Sequence, residues 1–147
     1  MKSLYNQETR EEVIARIQAL TIESTPLWGK MNVTQMLKHC EISDQLYQGQ
    51  HNLPRIFMGK LFGRIALNKI LKAGKLKKNL PTDESFKFEP DGDIEELKQE
   101  WINRIREYER IRPDFVIVHP YFGKLSRDES GQMAFIHGNH HLTQFKV

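Results

Sequence analysis

The sequence predicts an all-α protein, a four-helix bundle with one extra helix or crossover segment. Three observations carry this. Apolar residues recur at spacings of three and four in separate windows. Those windows open on capping signals. No two period-two segments offer a credible sheet. A chain of 147 residues fits one domain, 1–147, and 39% hydrophobic with 28% charged residues excludes a disordered or fibrous protein.

Thr9 with Glu12 has the spacing of a capping box, and Val13, Ile17 and Leu20 follow, so the first helix is expected near 9–20. Pro26 and Gly29 mark a connector, with Trp28 packed beneath it. Asn32 and Gln35 cap a second helix near 32–48, whose inner side carries Met36, Cys40, Ser43 and Tyr47. Glu41 and Asp44 are read as solvated, Cys40 as a small core residue, and His51 as exposed. Residues 55–71 are apolar around most of the circumference and too long for one strand, hence the extra helix. Because those positions do not gather on one side, a membrane-surface helix is not expected. A long loop follows over about 72–93, with Phe86 and Phe88 draped over the bundle. Asp93 caps the most amphipathic helix, near 93–111, with Ile94, Leu97, Trp101, Ile105 and Tyr108 on one stripe. Residues 115–118, FVIV, are strand-like in composition but lack a partner, and are read as an extended connector or helix edge. Ser126 with Glu129 starts the last helix, near 126–145.

The net charge of +3 conceals an uneven distribution. Residues 55–78 hold eight Lys and Arg and no acid, leaving 14 basic against 19 acidic side chains elsewhere. The plain reading is a solvated lysine face on an otherwise buried helix. A single cysteine, no run long enough to span a membrane and no apolar leader core give the expectation of a cytoplasmic protein without a membrane partner. There is no phosphate-binding loop, dinucleotide fingerprint or zinc-finger spacing. Nucleic acid is not the expected partner.

The chemistry is concentrated in the histidines. On the last helix Met133, His137, His141 and Gln144 share a narrow stripe, and two imidazoles four residues apart project from successive turns towards one point. His39 sits in the apolar arc of the second helix and needs partners for both ring nitrogens. Together His39, His137 and His141 form a three-histidine set, which leaves a metal one open position. Imidazole suits zinc, nickel or iron alike. His137 with His140 is an alternative pair at i, i+3. His140 and Gln144 are candidates to support the site, and His119, held extended before Pro120, is a candidate to line it. Gly138, between the paired histidines, costs about 1 kcal/mol in a helix but permits close approach of a helix or ligand.

The segments PLWGKMNVTQMLKHC (26–40), HPYFGKLS (119–126) and HGNHHLTQF (137–145) resemble, in order, the DinB/YfiT-like superfamily, and within it a branch known only as a domain of unknown function. The resemblance implies an up-down-down-up four-helix bundle holding a divalent metal on three histidines. The family's ligand before the long central segment matches His39, and its terminal His-x-x-x-His pair matches His137 and His141. The superfamily includes thiol-dependent transferases and isomerases, and dimers.

The function expected is therefore a metal-dependent transferase or hydrolase, with a thiol or water activated on the metal. The substrate would be a small molecule such as a low-molecular-weight thiol carrying carboxylates, drawn by the basic segment. The alternative is a non-enzymatic metal- or ligand-binding helical module with an anionic partner. Two copies of the chain are expected to pair.

Overall fold

The computed structural model describes residues 1–51, 53–80 and 92–147. Among these residues it is mostly helical, with five α-helices and one two-stranded hairpin. Helix α1 spans Gln7–Gln18, α2 Val33–Tyr47, α3 Phe57–Ala73, α4 Ile94–Glu107 and α5 Arg127–Gln144. A 3-10 turn, Tyr108–Arg110, extends α4, and strands β1 (Val116–His119) and β2 (Gly123–Ser126) precede α5. Residues 81–91, with Phe86 and Phe88, lie outside the described residues.

Local chemistry sets most boundaries. Asn32 and Ser126 each accept the backbone N–H three residues on, while the Gln35 and Glu129 side chains return to the cap's own N–H. Asp93 caps α4 by accepting from the N–H groups of Glu95 and Glu96. For α1 the expected cap at Thr9 is wrong. Asn6 holds that position and accepts from Thr9 N–H at 3.3 Å, so the helix begins two residues earlier than predicted.

Helix α2 packs on α4 and α5, and α1 on the same two. Their facing sides form one apolar core, including Ile17, Met36, Leu37, Trp101, Ile105, Tyr108, Met133 and Ile136, all 0–1% exposed. Trp101 of α4 is the neighbour of Gly138, where a Cβ would meet the indole at 3.4 Å, about van der Waals contact.

The hairpin corrects the sequence reading of 115–118. Val116–His119 is a strand paired antiparallel with Gly123–Ser126, in the register Ile117 to Leu125 and His119 to Gly123. Its partner is hard to recognise because GKLS carries one apolar residue, Leu125, which points into the core. Helix α3 also departs from expectation. Among its residues only Gly59, Gly63 and Leu67 are buried, so it is not a buried helix with a lysine face. Added Cβ atoms at Gly59 and Gly63 would stand 2.4 and 2.0 Å from the Tyr121 carbonyl oxygen. The helix can lie on the hairpin turn only with glycine there.

Candidate metal centre

α2 and α5 together bring three imidazoles to one place. His39 faces inward on α2, beside Cys40 and two turns before Tyr47, on a helix whose buried side is set by its contacts with α4 and α5. His137 and His141 stand one turn apart on α5. The ring centroids form a nearly equilateral triangle with sides of 4.9, 4.8 and 4.8 Å. One ligand nitrogen from each lies within 4.8 Å of the other two, and the Nε2 atoms of His39 and His137 are 3.0 Å apart. Nitrogens bound to one tetrahedral zinc at ~2.1 Å are about 3.4 Å apart. The triangle is therefore the size of a single cation's coordination face, and these three histidines could hold a metal ion.

The surroundings keep the two α5 rings in the form a metal needs. His39 is 5% and His141 7% exposed, and His137 is half-buried. Burial, reinforced by the neighbouring imidazoles, pushes His137 well below the usual histidine range and His141 down to about 3. Both are neutral at pH 7, with a lone pair to offer.

Gln144 decides which lone pair His141 offers. Its Nε2 donates to the Trp28 carbonyl at 2.6 Å, an oxygen that can only accept. The Gln144 Oε1 must then face His141 Nδ1, 2.8 Å away, which donates to it. The proton stays on Nδ1 and Nε2 is free to ligate. Gly29 makes this possible, because a Cβ there would meet the Gln144 amide nitrogen at 2.7 Å.

The other candidates have different neighbours. The His140 ring packs edge-on against Trp28 at 5.4 Å and His141 at 5.1 Å, outside the ligand triangle, and Lys78 lies over the same indole. His119 Nδ1 accepts from the N–H groups of Tyr121 and Phe122, at 3.1 and 3.2 Å, so its proton is on Nε2. Its ring stacks on Tyr47, which in turn lies 6.3 Å from His137. Burial and then Arg55 push His119 down to about 4. Cys40 is buried and its thiol raised, as expected of a core residue.

Two acids assigned to solvent are buried instead. Asp44, 4% exposed, accepts from Trp101 Nε1 and from the Tyr108 hydroxyl, each at 2.7 Å. Burial lifts its carboxyl to about 7 against the lowering effect of those two bonds. Glu41, also 4% exposed, accepts from Arg104 and Gln45, with Lys38 at 3.5 Å. The signal was present: Asp44 falls between Cys40 and Tyr47 on the inner stripe, and Trp101 and Tyr108 are the donors that stripe faces. His51 is half-buried and bonds Gln45 rather than standing exposed.

Among the described residues no helix is long and apolar enough to cross a membrane. The family described as protein of unknown function (DUF1569) matches residues 2–147, and the chain belongs to it. No curated protein and no solved structure matches the chain.

Proposed function

We propose that this member of the DUF1569 family is a metal-dependent enzyme of the DinB/YfiT-like type, a transferase or hydrolase acting on a small molecule such as a low-molecular-weight thiol. One divalent ion, zinc, nickel or iron, would be held by His39, His137 and His141. The single observation carrying this is the triangle of imidazoles sized for one cation. The mutual packing of α1, α2, α4 and α5 supports a four-helix bundle around it.

When bound, such an ion supplies Lewis-acid polarisation and lowers the pKa of a water or thiol it holds. The chain's own residues do the rest. Gln144, tied to the Trp28 carbonyl, fixes the His141 tautomer and ring plane. Trp101, fully buried, packs beside Gly138 on the turn between the paired histidines. His119, neutral at pH 7, keeps its one proton on Nε2.

Elemental analysis of untagged protein tests the site, with about one ion per chain expected. Occupancy unchanged when all three histidines are alanine would place the metal elsewhere. A screen of the metal-loaded protein against thiol-conjugation and hydrolysis substrates tests the reaction. A rate that His39→Ala leaves intact defeats the metal mechanism, and bound metal without turnover of any substrate favours the binding module instead.

A further inference from the structure

Helix α3 presents its apolar side chains to solvent. Gly59, Gly63 and Leu67 occupy the side that meets the hairpin. The opposite arc is therefore built of Phe57, Met58, Leu61, Phe62 and Ile65, each between 49% and 70% exposed. Phe57, Leu61 and Ile65 follow one another at intervals of four, with Met58 and Phe62 alongside. The expectation that these positions would not gather on one side is corrected by the glycines, which turn the apolar residues outward together. Such a patch is uncommon on a monomer and marks a docking surface.

The charges around it identify what docks. Residues 55–78 carry eight Lys and Arg and no acid. Beside the apolar arc, α3 and the hairpin enclose a groove of about 510 Å³ lined by Arg55, Lys60, Arg64 and Lys124, with Glu129 the one acid. Arg64 pairs with Glu129 at 2.5 Å, so the lining stays net positive. An apolar crest bordered by Lys and Arg is the chemistry of a helix lying in a bilayer surface, where hydrocarbon enters the acyl boundary and cationic groups reach phosphates.

We propose that the outward face of α3 docks the protein on an anionic phospholipid surface, with Phe57, Leu61 and Ile65 inserted and the basic groove receiving headgroup phosphate. A second copy fits less well. A two-fold contact would bring two segments of like charge together with no acid in either to pair them. A nucleic-acid backbone would press against the apolar crest rather than against hydrogen-bond donors.

Co-sedimentation of the full-length protein with vesicles tests the proposal. One set is phosphatidylcholine alone, and the other has one quarter of it replaced by phosphatidylglycerol. Binding is expected to the mixed vesicles, weaker to the neutral ones, and reduced by salt. Leu61→Glu should abolish it, and Lys69→Glu with Lys72→Glu should weaken it by about tenfold or more. Metal content should be the same in every variant, so the outcome is independent of the proposed catalytic site. Equal binding to both vesicle types, or none to either, overturns the proposal. So does a dimer, formed without lipid, that Leu61→Glu separates, since that would make the second copy the occupant.

Discussion

Helices α5 and α3 are built inside out with respect to each other. α5 turns His141 and Gln144 into the interior with Met133 and Ile136, while α3 turns two phenylalanines, a methionine, a leucine and an isoleucine to solvent. What a helix buries is decided here by what stands opposite it. Polar groups are accepted in α5 where they find partners, as His141 Nδ1 meets the Gln144 Oε1 and the Gln144 Nε2 meets the Trp28 carbonyl. On the inner side of α3 side chains are excluded at Gly59 and Gly63, where the Tyr121 carbonyl passes too close, and Leu67 one turn on is buried.

The comparison can be broken most sharply at the ligands. Alanine at His39, His137 or His141 should weaken metal binding by more than the roughly 100-fold that loss of an outer partner causes. Competition with a chromophoric chelator reads this directly, and near-native affinity in any of the three variants would show that the inward rings serve packing alone.

Asp44 tests whether buried polarity is tolerated through its partners. Its folded pKa, about 7, lies above the unfolded value of about 3.9. Its contribution to stability is therefore fully present below pH 4 and lost as pH rises to about 7, on the order of 4 kcal/mol. The stability of wild type relative to Asp44→Asn, from denaturant titrations, should fall over that window, and a flat difference would refute it. The histidines act in the opposite sense. With His119 near 4 and His141 near 3, they stabilise above their unfolded pKa of ~6.5 and lose that contribution as pH falls.

Leu67 and Leu61 set the two sides of α3 against each other. Leu67→Ala should cost about 2–5 kcal/mol, because Leu67 is fully buried. Between that effect and the smallest stands Gln144→Ala, expected to reduce metal affinity by about 10–100-fold with little change in fold. Retained affinity would mean that the His141 tautomer is set by something else. Leu61→Asn should change stability by no more than about 0.5 kcal/mol. A larger loss in urea would show that the exposed face supports the monomer after all.

Much of this was legible in the sequence because it is local. The capping boxes at Asn32 and Ser126 need only four residues each, and α4 is amphipathic enough to be read from its own stripe. His39, His137 and His141 each sit on a helix stripe that periodicity defines, although the choice of His141 over His140 rests on the family resemblance. What could not be read depended on residues outside the stretch that suggested each element. Thr9 resembles a cap until Asn6 is seen to hold the position. The hairpin requires Ile117 and Leu125 to find each other across a turn. The inward side of α3 is fixed by Tyr121, about sixty positions on, and the burial of Asp44 by Trp101 on α4 and Tyr108 in the turn that extends it.

The contact between His39 and His137 joins positions 98 apart in the chain. Seen as polymer physics, an ion shared by those two rings is a cross-link, and the loop it closes contains α3, α4 and the hairpin. Unlike a disulfide, that cross-link exists only while the chain is folded, because the rings part when the loop opens. It therefore stabilises by mass action, by about 4 kcal/mol at a free-ion concentration a thousand times Kd. Chelation would thus raise the melting temperature of segments no ligand atom touches, α3 among them, without altering a single contact there.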